Sequence, residues 1–282
     1  MKYQEECWDC AYNQIKRAAK HGIKDEEKRK KVIEKANKIA EKSVPVDTPA
    51  EFGTKIHAYI NENSDTYPFE EFRVKGLEAA EKALEILKPE IKTLKDACVA
   101  AIIGNYIDST PMGDDMGKLD EFRNMIHEEL AVDDFEKFEK LLESAKTVVY
   151  LTDNYGEHLF DLEVVRMLSE LEKDVTCVGK AGKILNDATA QDLKDAGFEK
   201  YAKVESLGAA CIGVVWEAVS EDFKKLFEEG DLIIAKGMGN YESLEDNPRE
   251  IVFMLRAKCW PVARNLGVQK GDNVLKVKEK KD

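Results

Sequence analysis

The chain has 282 residues, 43% of them hydrophobic, enough for one large domain or two moderate ones. A formal charge of −13 argues against nucleic acid or an anionic membrane surface as a partner, so any anion must be held by local lysines or a metal. No apolar run approaches the ~18 residues of a membrane span. The opening Met1 to Glu6 lacks the basic-then-apolar order of a signal peptide, so the expectation is a cytoplasmic protein.

Helical patterns fill the first half. One helix is expected over Cys7 to Lys20 and a second over Asp25 to Lys42, capped by Asp25. Thr48-Pro49 opens a third, with proline at the first helical position. From Phe69 to Leu87 the apolar residues Leu77, Ala80, Leu84 and Leu87 recur near the 3.6-residue period. After Pro89 a more buried helix runs from Ile91 to Ile103, ahead of Gly104-Asn105. Ser109 to Gly117, rich in Gly, Met and Asp, reads as a mobile loop and a candidate lid. Beyond Lys146 short β-rich runs alternate with helical segments: Thr147–Leu151, Val175–Val178, Lys203–Glu205, Leu232–Ala235 and Ile251–Leu255. Such alternation implies βαβ units and a mainly parallel sheet covered on both faces. The expected class is therefore α/β, with an all-helical subdomain over 1–145 and an α/β/α core over 146–282.

Chemistry concentrates at the ends of the apolar runs. Val148 to Thr152 stops at Asp153-Asn154-Tyr155-Gly156-Glu157, and a helical pattern begins at His158. Ligands of open α/β sheets sit at this carboxyl end. Adjacent Asp and Asn offer a hard cation two oxygens, although the same pair makes an ordinary turn in many proteins. Asp187, in Leu185-Asn186-Asp187-Ala188-Thr189, follows the next strand and is a third candidate ligand; it is also a good helix cap. At the third strand end, Lys236-Gly237-Met238-Gly239-Asn240-Tyr241-Glu242 carries a Gly-x-Gly turn suited to phosphate, but the third glycine of the dinucleotide fingerprint is missing. Lys236 and Lys258 each follow an apolar run and would suit an anionic substrate.

Among six cysteines, Cys98, Cys177 and Cys211 have apolar neighbours and read as core. Cys7-x-x-Cys10 is a redox pair, half of a metal site, or two residues of one helix face. Cys259 is a distant candidate for a third thiolate. No second CxxC exists, which excludes a zinc ribbon, and no serine-hydrolase elbow or Walker A loop is present.

The ordered set of Cys7-x-x-Cys10, Gly104-Asn105-Tyr106-Ile107-Asp108, the Asp153–Glu157 and Asn186–Thr189 segments, Lys236–Glu242 and Lys258-Cys259 resembles the damage-control phosphatase family, also catalogued as domain of unknown function eighty-nine. The cysteine pair resembles its compact first subfamily, found in archaea and other microbes. The resemblance implies a helical subdomain beside a Rossmann-like α/β/α sheet and a phosphatase served by Mn²⁺, Ni²⁺, Co²⁺ or Mg²⁺. It implies Asp153, Asn154 and Asp187 as metal ligands and a second metal at Cys7, Cys10 and Cys259. It places Asn105, Asp108, Glu157, Gly237, Asn240, Glu242 and Lys258 in the substrate pocket. Leu255-Arg256-Ala257-Lys258 departs from the Arg-Thr-x-Lys pattern of larger eukaryotic relatives, so their sugar-phosphate specificity is not carried over.

The reading that unites these residues is hydrolysis of a small phosphorylated metabolite. Asp153, Asn154 and Asp187 serve the metal, Lys258 with Lys236 offsets phosphate charge, and oxidised purine nucleotides are candidate substrates by resemblance. Two alternatives compete: a non-catalytic metal- or nucleotide-binding protein with sensing cysteines, and an S-adenosylmethionine-dependent carboxyl methyltransferase. Oligomeric state leaves no signature in the sequence.

Overall fold

Caps and small residues shape the first three helices of the computed structural model, which describes residues 1–43, 48–107 and 123–280. Helices α1 (Glu6–Gly22), α2 (Glu26–Ser43) and α3 (Pro49–Asn63) pack on one another. Asp25 Oδ1 accepts from the Lys28 amide at 2.6 Å, as a cap should. Thr48 and Glu51 form a reciprocal capping box ahead of α3. Ala18, Ala19, Ala36 and Ala40 let the helices approach closely around Ile15, Phe52 and Ile56.

Helices α4 (Glu70–Leu87) and α5 (Leu94–Ile107) belong to a different core. Ala80, Leu87 and Ala97 to Ile103 share it with Tyr150, Phe160, Ile234 and Met254 of the sheet half. The change in texture near residue 145 marks where the strands begin, and the buried faces of α4 and α5 pack on the sheet from the helical side of it. Helix α5 also runs on through Gly104-Asn105, where the sequence pattern suggested a stop. A Cβ at Gly104 would meet the Phe160 ring at 2.8 Å, so the glycine allows close helix packing instead of ending the helix.

The sheet half comprises β1 (Val132–Asp133), α6 (Phe135–Ser144), β2 (Thr147–Leu151), α7 (His158–Glu170), β3 (Asp174–Gly179), α8 (Ala190–Asp195), β4 (Lys203–Ser206), α9 (Glu221–Glu229), β5 (Leu232–Lys236), α10 (Gly237–Leu244), β6 (Ile251–Arg256), α11 (Trp260–Leu266) and β7 (Asn273–Lys278). Strand order is β1-β7-β6-β5-β2-β3-β4. All five strands read from the sequence are present and mutually parallel. The unforeseen β7 runs antiparallel to β6 and carries the short β1 at the edge. Side chains alternate across the sheet: Val148 and Tyr150 join the core under α5 and α7, and Val149 and Leu151 join the core of the opposite face. Central β2 lies between β3 and β5, so the connections leave it in opposite directions. A crevice opens beyond the carboxyl ends of strands at such a switch point.

Candidate active site

The loops that leave β2 and β3 are joined through their backbones. Asn154 and Asp187 form an isolated antiparallel bridge. The Ala188 amide donates to the Asp153 carbonyl and the Tyr155 amide to the Asn186 carbonyl, each at 2.7 Å. Asp153, Asn154 and Asp187 thus lie on adjacent backbone despite more than thirty intervening residues. Thr189, and not Asp187, caps α8 through a reciprocal box with Asp192. Asp187 is therefore left to line the cleft.

Two side chains that the sequence did not single out support this loop. Arg73 of α4, 3% exposed, donates to the Asp187 carbonyl and to Asp192 Oδ2, both at 2.6 Å. Its guanidinium lies 4.2 Å over the Tyr155 ring. Lys180 donates to the Gly213 carbonyl at 2.7 Å and stands 3.7 Å from Asp187 Oδ2. Only the folded chain brings these partners together, so local patterning carries no trace of them.

Behind Asp153 sits a buried charge network. Asn154 Nδ2 donates to Asp153 Oδ2 at 2.9 Å and to Glu157 Oε2 at 3.1 Å. Asn105 Nδ2 donates to the same two oxygens, at 3.3 and 2.5 Å. Glu157 Oε1 accepts from Lys236 Nζ at 2.7 Å. Lys236 also donates to Asp161 Oδ1 at 2.7 Å and to the Ala101 carbonyl at 2.9 Å. Tyr150 donates to Asp161 Oδ1 at 2.8 Å.

Lys236 is fully buried, and the three donors of its ammonium all have protein acceptors. The expectation that it meets substrate gives way to a role behind the cleft, as the cation that holds Glu157. Burial opposes its charge, but Asp161 and Glu157 outweigh that and keep its pKa above the ordinary lysine value. Asn240 is turned inward too, donating to the carbonyls of Lys236 (2.8 Å) and Thr152 (3.2 Å), which fastens α10 to the end of β2. Gly237 has φ +75°, and a Cβ there would stand 1.9 Å from Asp153 Oδ2. Its bareness admits the carboxylate of Asp153, where the Gly-x-Gly turn had suggested a phosphate.

Burial pushes the Asp153 carboxyl well above the usual range; Glu157 and Asp187 add to this, against the pull of Lys258 and Lys180. A buried carboxylate raised by its own acidic neighbours is a place where a bound cation would relieve charge. Two carboxylates and one amide oxygen form a hard donor set that fits Mg²⁺ or Mn²⁺.

Asn105, Asp153, Asn154 and Asp187 open into a cleft of about 520 Å³ that runs toward α1 and α11. Lys258, Glu242 and the three cysteines Cys7, Cys10 and Cys259 line the same cleft. Burial pushes all three thiols up, Cys259 to about 11, with Glu242 adding its charge. Burial likewise raises Glu242, to about 7. Among the described residues no three His, Cys, Asp or Glu side chains gather closely enough to hold a metal by themselves; the Asn154 amide stands outside that count. Asp108 and the loop from Ser109 to Gly117 lie outside the described residues. Cys98, Cys177 and Cys211 are buried, as their apolar neighbours suggested. No described helix is long and apolar enough to cross a membrane.

An α/β sheet with a carboxylate–amide cluster at its switch point fits the class of metal-assisted hydrolases. Comparison with known proteins narrows the class. Residues 3–274 match the damage-control phosphatase ARMT1-like domain, and the chain belongs to that family. A damage-control phosphatase of Pyrococcus horikoshii is 36% identical over 279 residues, covering 96% of each chain. One from Archaeoglobus fulgidus is 33% identical over 291 residues, covering 99% of this chain and 100% of the other. The crystal structure of a DUF89 family protein from P. horikoshii matches with a TM-score of 0.91 at 37% identity, over 98% of both chains. The chain is a phosphatase, which sets aside the two alternatives weighed from the sequence.

Proposed function

We propose that this enzyme hydrolyses small phosphomonoesters, damaged or oxidised nucleotides and related metabolites among them, with a divalent cation (Mn²⁺, Ni²⁺, Co²⁺ or Mg²⁺) held by Asp153, Asn154 and Asp187. The observation that carries the reading is the backbone pairing of the two loops, which sets three oxygen donors side by side in a buried, acid-rich pocket. A divalent cation bound there supplies Lewis-acid stabilisation of phosphoryl oxygens and a lowered pKa for water.

The chain's own groups account for the rest. Asn154 gives its Nδ2 to Asp153 and Glu157, so its carbonyl oxygen is the donor it can offer a cation. Glu157, clamped by Lys236, fixes both amides, and this pre-organisation replaces reorganisation during the reaction. Lys258 lines the cleft within electrostatic reach of Asp153 and offsets charge on the phosphoryl group. Asp153, which lines the cleft beside the other two donors, doubles in this reading as the carboxylate that accepts the proton of an attacking water.

Metal-stripped protein given back each cation with para-nitrophenyl phosphate tests the reading beside Asp153→Ala and Asp187→Ala. Turnover should return with metal in the wild type and fall by about 10³-fold or more in either variant, and metal should raise Tm only in the wild type. Retained activity in a folded variant would sink the assignment. The second metal expected at Cys7, Cys10 and Cys259 finds the three thiols lining one cleft within reach of one another's charge, but not gathered closely enough to hold an ion as they stand, so a metal there requires the three to draw together. Metal analysis of purified protein should show a thiophilic ion lost in Cys259→Ser; equal content in both would remove it.

A further inference from the structure

Beyond the oxygen donors the cleft is apolar on its walls and acidic at its far end. Pro49, Ile212 and Met238 line it with part of their surface exposed, and Trp260 at the rim is 50% exposed. A tryptophan that open, beside a binding cleft, is a surface waiting for a flat partner. The charges lining the cleft are the acids Glu6, Asp153, Asp187 and Glu242 against the bases Lys258 and Lys270. His57 adds none near neutral pH, because burial holds its pKa down to about 4. A divalent cation balances that excess, and one phosphate dianion is then the anion that Lys258 and the cation can meet. A second anionic group farther along the substrate would come up against the acid end. Glu6 is already paired with Arg264 at 2.7 Å, so Glu242 supplies the repulsion.

We propose that the cleft selects monophosphates whose leaving group is flat, apolar and uncharged, stacked on Trp260, and that Glu242 rejects substrates with a second anionic group. The inference rests on the phosphatase reading and names the substrate class of that same site. Polar, non-planar leaving groups such as glycerol gain nothing from Trp260, so their turnover depends on the phosphate end alone. Glu242 lies on α10, whose first residue abuts Asp153, so the same helix serves both the chemistry and the choice of substrate.

The test compares 2-(1-naphthyl)ethyl phosphate, an alkyl ester of leaving-group acidity similar to that of glycerol 3-phosphate, with glycerol 3-phosphate and a hexose bisphosphate at pH 8 with saturating Mn²⁺, in the wild type, Trp260→Ala and Glu242→Gln. The wild type should prefer the naphthyl ester over glycerol phosphate by about tenfold or more in kcat/KM, within the range that one stacking contact provides. Trp260→Ala should raise KM for the naphthyl ester about tenfold and leave glycerol phosphate within about twofold. Glu242→Gln should narrow the penalty on the bisphosphate, read as the ratio of its kcat/KM to that of the naphthyl ester in the same variant. Trp260 is half exposed, so its replacement should leave Tm unchanged, which separates a recognition effect from unfolding. Equal kcat/KM for the two monophosphates, or an equal loss on both in Trp260→Ala, would overturn the inference while the phosphatase stands. An unchanged bisphosphate penalty in Glu242→Gln would overturn the role of that carboxylate. No hydrolysis of any ester by folded wild type would overturn the phosphatase reading itself.

Discussion

At one end of the cleft Asn154 and Asn105 hold Asp153, both amides rest on Glu157, and Glu157 rests on Lys236, with every link a hydrogen bond of 3.3 Å or less. At the other end Cys10 is exposed, Cys7 and Cys259 are half-buried, and the contact that ties Cys10 is a donation from Gln14 at 3.2 Å. The first end is fixed before any ligand arrives, although three charged groups had to be buried to fix it. The second end retains freedom to adjust. The contrast divides two tasks: transition-state charge needs pre-set partners, whereas a leaving group can be received by a surface that adjusts to it.

The contrast breaks most visibly at Lys236. Lys236→Met leaves Glu157 and Asp161 buried without their cation and should cost about 3–5 kcal/mol in urea unfolding. A variant as stable as the wild type would mean that the oxygen end is not held by this network. Gly237→Ala is the next largest change, because a Cβ would collide with Asp153 Oδ2 at 1.9 Å from a backbone at φ +75°. About 2–3 kcal/mol of stability should go, and metal-dependent turnover should fall about 10²-fold as Asp153 is displaced. Unchanged turnover would show that this end tolerates movement after all.

The smallest effect sharpens the other end. Burial raises Glu242 from 4.5 to about 7, so the folded state keeps a proton that the unfolded chain has released between those values. Stability contributed by the protonated carboxyl is therefore lost as pH rises from 4.5 through 7. Glu242→Gln escapes that loss, and its Tm advantage over the wild type should widen across the window, by about 1–2 kcal/mol in free energy, then level off. A constant difference at pH 4.5, 6 and 8 would place Glu242 in ordinary solvent.

The strand ends were readable because apolar runs such as Val148–Leu151 and Leu232–Ala235 stop abruptly at polar residues, and a parallel sheet buried on both faces needs such runs. The Thr48 cap was readable because its chemistry is local. Lys236 was misread for the opposite reason: whether a lysine after a strand meets substrate or a carboxylate depends on Glu157 and Asp161, more than seventy residues away. Asp187 resembles a cap in sequence, but its backbone is tied to Arg73 and to the β2 loop, and Thr189 caps the helix instead. Strand β7 escaped notice because its Lys276 and Lys278 break the apolar pattern, although pairing with β6 buries its other side chains.

Arg73 and Asn105 carry one more consequence. The sheet half contains all three proposed ligands, yet the carbonyl of Asp187 and the carboxylates of Asp153 and Glu157 are tied to α4 and α5, from the other half of the chain. A fragment beginning at residue 146 would keep the sequence motifs and lose the braces that aim them. The catalytic apparatus is not a module that can be transplanted with its own strands; it is a joint between two stretches of polypeptide, and it comes into being only when both have folded.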